Sequence, residues 1–261
     1  MENLIDIQVR DERRQKIQEF RDNCLHGNID KVRSLINESV HDYKYDYDDG
    51  LIYTCIGGHQ NIATMLITNG AKNLEQGLSF ASMADKIDMV TFIINKGAKH
   101  YHNALLSICQ QQKCNMKIFD ILEKKMIDEK RGIDWEDLFF SACKGGSLDL
   151  INYLITKTNT FNWTEGILIT QTYLGDHEEV AVFLALKGGD IRVYNRTLKN
   201  KSLIAKLAHY CVGDIGQHAI VVNDYKQSTE YKKSLENIKL ELDKTRFLIN
   251  VIDDIVMEYI R

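Results

Sequence analysis

The chain has 261 residues, 44% of them hydrophobic and 27% charged, which excludes a disordered polypeptide and leaves one large domain, two small ones or an elongated array. A formal net charge of -4 and a pI of about 6.1 exclude a global basic field of the kind that draws a protein to nucleic acid or an anionic membrane, leaving room only for a local basic patch. Pro is absent, while Ile (30), Lys (23) and Asn (18) are abundant and Ala (12) is scarce, a bias that points to an AT-rich genome.

In chain order, the opening MENLIDIQVRDERR is charged from its second residue and lacks the apolar centre of a secretory signal, so a cytoplasmic location is expected. Residues 1–13 read as a segment preceding the regular part of the chain. A pattern then appears in LHGNIDKVRSLI (25–36) and recurs in IGGHQNIATMLI (56–67), MADKIDMVTFII (83–94), QQKCNMKIFDIL (111–122), KGGSLDLINYLI (144–155) and LGDHEEVAVFLA (174–185). Taking Gly27, Gly58, Asp85, Lys113, Gly146 and Asp176 as reference positions, the spacings are 31, 27, 28, 33 and 30 residues. Internal repetition at this period is the mark of a repeat architecture.

Two columns are apolar in all six copies. Seven places before the reference stand Phe20, Leu51, Leu78, Leu106, Phe139 and Ile169; eight places after it stand Leu35, Leu66, Ile93, Ile121, Leu154 and Leu184. Three places after it come Asp30, Asn61, Asp88, Met116, Asp149 and Glu179, five of them acidic or amide residues suited to a helix N-terminus. Each unit therefore reads as a helix, a tight bend and a second helix with apolar positions about 3.6 residues apart.

Lys144-Gly145-Gly146-Ser147 has the look of a loop that could cradle a phosphate, yet Asp85, Lys113 and Asp176 fill the place of Gly146 in other copies. A carboxylate there would repel phosphate, and a glycine that ends one helix in the left-handed conformation explains the column more simply. The long uncharged run from Gly50 to Ala71 is read in the same way, as two short helices and not a membrane span, because it contains Gln60, Asn61, Asn69 and several Thr and Gly.

The order small residue, two variable, Gly, polar, variable, acidic, two apolar, two variable, two Leu or Ile, then Gly-Ala resembles the ankyrin repeat. Gly70-Ala71, Gly97-Ala98 and Gly188-Gly189 match the family's Gly-Ala at the end of the second helix, while its Thr-Pro-Leu-His start is reduced to the apolar member. The resemblance covers residues 14–190 as about six divergent copies. Proline-poor, Ile/Lys/Asn-rich copies of this kind are similar to ankyrin-repeat proteins of large DNA viruses. It implies an all-α solenoid with helices in two layers, a concave face and projecting loops, a protein partner that would be a host factor, and host cytoplasm as the location. No catalytic residue, metal site or cofactor is implied, and neither nucleic acid nor membrane is expected as a partner.

Six cysteines without a CxxC pair suit a reducing compartment. Cys24, Cys55 and Cys143 lie three places before their references, where the family has a small residue between layers; Cys109 is one place from that slot and Cys114 is outside it. Cys211 with His209 and His218 is the one cluster to weigh as a metal or nucleophile site, but its spacing matches no usual zinc pattern. His100 and His102 form an H-x-H pair in a connection, which a solvated loop explains as readily as a metal.

For recognition, two places before the reference stand Leu25, Ile56, Met83, Gln111, Lys144 and Leu174, a position that the resemblance puts on the concave face. Four of the six are apolar, which marks either a partner groove or side chains turned between the layers. The connection HDYKYDYDDG (41–50) alternates Tyr43, Tyr45 and Tyr47 with Asp42, Asp46 and Asp48, with Lys44 the one cation, a chemistry suited to recognition as well as to a solvated linker.

Residues 191–224 read as a degenerate closing repeat. From 225 to 261 a long helix is expected, in which Leu235, Ile238, Leu242, Thr245, Ile249, Ile252, Val256 and Tyr259 alternate by threes and fours. This is either a coiled-coil seam for self-association or part of a broader buried face that caps the array. The leading functional expectation is a non-enzymatic module that binds a protein through its concave face and loops; the alternative is an assembly subunit joined through the C-terminal helix.

Overall fold

A computed structural model describes residues 4–38, 45–158, 160–170 and 177–189. Among them every regular element is an α-helix, twelve in all. The expectations for Tyr43, Leu174, Cys211 with its histidines, the closing repeat and the C-terminal helix lie outside the described residues.

The helices come in pairs: α1 (Leu4–His26) with α2 (Ile29–Glu38), α3 (Tyr47–Gly57) with α4 (Gln60–Thr68), α5 (Leu74–Met83) with α6 (Ile87–Asn95), α7 (Tyr101–Cys109) with α8 (Met116–Asp128), α9 (Trp135–Gly145) with α10 (Leu148–Ile155), and α11 (Trp163–Ile169) with α12 (Glu178–Leu186). Two units divide the chain, residues 1–157 and 158–261, so the first unit holds five pairs and the second holds the sixth. Within the first unit α1 packs on α3, α3 on α5, α5 on α7 and α7 on α9, so the first helices of the pairs form a row. Each second helix packs on its own first helix, and α2 meets α4 as α6 meets α8.

The bend between the two helices of a pair has the conformation expected from its repetition. Gly27, Gly58 and Gly146 adopt φ of +80°, +87° and +73°, and Asp85 takes the same left-handed region at +56°. Asp tolerates that region better than most residues with a side chain, which is why the bend survives the loss of glycine. The residue before the reference has a different task. A Cβ on Gly145 would lie 2.6 to 2.7 Å from the backbone of Cys109 and Gln110, and one on Gly57 would collide with the carbonyl oxygen of Leu25. The double glycine thus joins a conformational requirement to a close approach between successive first helices.

Small residues set the spacing of that row elsewhere too. Gly50 faces the ring of Phe20 and Gly77 faces the sulfur of Cys55, each with no room for a methyl group unless the neighbour shifts. Buried positions repeat along the first helices as Gly50, Leu51, Thr54 and Cys55 in α3, Gly77, Leu78, Ala81 and Ser82 in α5, and Leu138, Phe139, Ala142 and Cys143 in α9. In the second helices they repeat as Ile62, Ala63 and Leu66, then Met89, Val90 and Ile93, then Leu150, Ile151 and Leu154. Burial of these stripes, not local propensity, holds such short helices.

Two copies depart from the expected register. In α7 the fully buried residues are Ala104, Leu105, Ile108 and Cys109, while Leu106 is half-buried; in α8 Leu122 is fully buried and Ile121 only partly. Matching these to the other pairs puts the reference at 112 for α7 and at 114 for α8, so this bend carries two extra residues and Lys113 lies inside the insertion. Cys109 thereby joins Cys24, Cys55 and Cys143 in the small-residue slot. The sixth pair shows the same increase, since Ile167 is fully buried in place of Ile169 while Leu184 keeps its position.

Successive repeats in the first unit are tied by side chains that satisfy backbone groups of the next. The Asp48 carboxylate accepts from Lys72 N and, at 2.8 Å, from Asn73 N. Glu75 does the same one repeat later for Lys99 N (3.1 Å) and His100 N (2.8 Å). The His59 ring lies against Gly27 and Gly57, and its Nε2 donates to the Leu25 carbonyl at 2.9 Å. In the second-helix layer, buried Glu123 of α8 accepts from Tyr153 Oη at 2.8 Å and pairs with Lys157 Nζ at 2.7 Å. Both partners respond: the bond to Glu123 raises the Lys157 pKa, and burial raises that of Tyr153.

Candidate partner-binding face

Opposite the buried stripe of each first helix lies the side not used for packing. By helical geometry it carries the positions two, five, six and nine before the reference. In the first unit, the positions two and five before give Asp22 and Leu25 on α1, Tyr53 and Ile56 on α3, Phe80 and Met83 on α5, Ser107 and Gln110 at the end of α7, and Ser141 and Lys144 on α9.

Phe80 is 37% exposed and Met83 41%, two of the four large apolar residues that stand exposed among the described residues. They are three residues apart, so both project from one side of α5. Tyr53 and Ile56, half-buried, hold the same places on the neighbouring α3, and half-buried Ile52, Leu106 and Phe140 continue the apolar surface along the row. Charge is scarce at its centre. Arg21 forms a two-pronged pair with Asp49, Nε to Oδ2 at 2.6 Å and Nη2 to Oδ1 at 3.2 Å, and its guanidinium lies over the Tyr53 ring at 5.5 Å. That hydrogen bond raises the Arg21 pKa and holds its charge firmly. Asp22 and Lys144 mark the two ends.

Of the expected recognition residues, Leu25, Ile56, Met83 and Lys144 thus stand on one side of the row, with Met83 exposed and the other three half-buried. Gln111 needs correction: in the longer bend its place in the column passes to exposed Gln110, and the Gln111 amide is spent on the Met83 carbonyl at 2.8 Å. Tyr45 is a second correction. Its ring is 4% exposed and stacks on Phe20 at 4.4 Å, so it closes the core beside α1 instead of projecting from a loop. Tyr47 is half-buried in the first turn of α3, a helix capped by the Asp46 carboxylate. The exposed aromatic Phe80 was not among the expected residues; its signal was its place three residues before Met83.

The histidines of the H-x-H pair part company. His100 Nδ1 is 3.9 Å from Glu75 in the repeat before, and His102 Nε2 is 3.7 Å from Asp137 in the repeat after. Burial raises the Cys24 and Cys55 thiols to about 12, and pushes those of Cys109 and Cys143 higher still. Cys114, half-buried, is raised to about 12 by burial and then by Asp85 and Asp120. A thiol so disfavoured as thiolate is a poor nucleophile. Among the described residues no helix is long and apolar enough to cross a membrane.

What the fold and this face define is an all-α, helical-repeat-like protein. Compared with protein-family models and with curated proteins, the sequence matches none of them.

Proposed function

We propose that the chain is an ankyrin-type repeat protein that acts without catalysis, holding a protein partner against the exposed side of its first helices. Support for the ankyrin-type reading comes from the left-handed bend residues, the close approach at Gly57 and Gly145, and the positive φ of Gly70, Gly97 and Gly188 at the ends of second helices. In that architecture the unpacked side of the first helices is the concave face. The composition that resembles viral ankyrin proteins supports a host protein as the partner.

One observation carries the binding role: exposed Phe80 and Met83 beside Tyr53 and Ile56, on adjacent helices whose opposite sides are fully buried. Aromatic residues, Met and Arg with few free charges are the composition of an interface centre, and contiguous apolar exposure on a folded surface costs solubility unless something covers it. Met83→Asp and Ile56→Asp, each judged folded by its circular dichroism melt, should lose a protein that the parent chain captures from its source cells. Thr64→Asp, on exposed α4 surface, should retain it. Capture that survives both face substitutions refutes the assignment.

A further inference from the structure

Five bends join the paired helices of the first unit, and four of them are closed by the same backbone bond. The residue after the reference donates to the carbonyl four places before it: Asn28 N to Asn23 O, His59 N to Thr54 O, Lys86 N to Ala81 O and Ser147 N to Ala142 O, at 3.0 to 3.2 Å. This bond ties the start of each second helix to the end of the first. In the fourth bend the corresponding residues are Asn115 and Ile108, and the two inserted residues have undone the tie. The Ile108 carbonyl accepts from Gln111 N at 3.1 Å instead.

Just inside the two parted groups stand cysteines. Cys109 follows Ile108 and is fully buried; Cys114 precedes Asn115 and is half-buried. They take the places that Cys143 and Gly146 hold between α9 and α10, where Gly146 N donates to Cys143 O at 3.3 Å. A turn closed in that way brings its two outer Cα atoms within about 7 Å, and a disulfide spans about 4.4 to 6.8 Å. Cys114 keeps the reference place, since its thiol feels the charge of Asp85, the reference residue of the bend before, and it adds in turn to the rise of the Cys109 thiol pKa. Gln112 and Lys113 between them are exposed, so the inserted residues bow outward without disturbing the packing. The raised thiol pKa values slow thiolate chemistry here; they set its rate and leave the end point to geometry.

We propose that Cys109 and Cys114 form a reversible disulfide that closes the interrupted bend, a redox-sensitive staple within the fourth pair. The oxidant is a low-molecular-weight disulfide of the oxidised glutathione class. Cys114, the more accessible thiol, loses its proton and attacks one sulfur, forming a mixed disulfide and releasing one small thiol. Cys109 then attacks the Cys114 sulfur, gives up its proton and expels the second small thiol. Two protein thiols are oxidised, and one small disulfide is reduced to two thiols.

The full 261-residue chain is equilibrated in glutathione buffers of graded ratio, quenched in acid, alkylated and cut with trypsin for mass spectrometry. Trypsin cleaves after Lys113, so the peptides 100–113 and 114–117 stay joined only through the disulfide. The joined species is expected in oxidising buffer, reversed by excess reduced glutathione and absent from Cys114→Ser. Cysteines five residues apart also meet in a flexible chain, so the titration is repeated in urea. The folded chain should reach half oxidation at a value of [GSH]²/[GSSG] at least about tenfold higher than the unfolded one, and its oxidised form should melt at a higher temperature. A folded chain in which Cys114 stops at the glutathione adduct, or in which folding brings no gain over urea, overturns the staple.

Discussion

The shifted register of the fourth pair separates four apolar residues that look alike in the sequence. Leu105 and Leu122 have no exposed surface, whereas their neighbours Leu106 and Ile121 are half-buried. Truncating a buried leucine to alanine removes about three carbons' worth of transfer free energy, roughly 2.4 kcal/mol at 0.8 per methylene, before any cavity is counted. With the cavity term, Leu105→Ala and Leu122→Ala should each cost about 3 to 5 kcal/mol. At the half-buried positions part of that surface is wet already and no closed void remains, so Leu106→Ala and Ile121→Ala should cost about 1 kcal/mol. Urea unfolding followed by circular dichroism at constant slope measures all four. If Leu106 and Ile121 prove as costly as their neighbours, the bend carries no insertion and the packing described for α7 and α8 is wrong.

Gly145→Ala places a methyl group against the Cys109 and Gln110 backbone, which cannot yield as a side chain would, and should cost about 1 to 3 kcal/mol on the same assay. Glu123→Leu leaves Tyr153 and Lys157 without their acceptor; because Lys157 is partly solvated, a loss of about 1 to 2 kcal/mol is expected, well short of a fully buried pair. The folded-state pKa values of Lys157 and Tyr153 are both raised, so the folded chain holds these protons more tightly than the unfolded one. Their contribution is therefore complete below the unfolded values near 10 and falls as pH rises through the folded ones, and Lys157→Met should flatten the decline in melting temperature above about pH 10. Of the five described cysteines, Cys114 should react first with a thiol reagent under native conditions, with Cys24, Cys55, Cys109 and Cys143 reacting only on unfolding; rapid labelling of Cys55 or Cys143 would show that the layers are not closed.

Much of this fold was legible because it repeats. The column from Gly27 to Gly146 and the apolar columns around it recur often enough to fix helix, bend and helix without long-range information. The two insertions were hidden because the affected helices carry apolar neighbours, Leu105-Leu106, Ile121-Leu122 and Ile167-Leu168-Ile169, that fit either register equally well. Tyr45 departs from expectation for a related reason. Its acidic surroundings describe a solvated segment, yet one ring among them is drawn down onto Phe20, and only tertiary packing decides which ring that is. The carboxylates that tie repeats together, Asp48 and Glu75, were within reach of pattern alone: each stands ten places before its reference and meets backbone groups 24 and 25 residues on.

The most direct test of a partner held on the first helices is a photo-crosslinking amino acid placed at Met83 in one variant and at Thr64, on α4, in another, each irradiated in extract of the source cells. A discrete adduct from position 83, absent from position 64 and lost when Phe80→Asp is added, is the expected result. An adduct that forms from position 64 and not from position 83 would mean that the partner is held elsewhere and that the apolar row serves the fold alone.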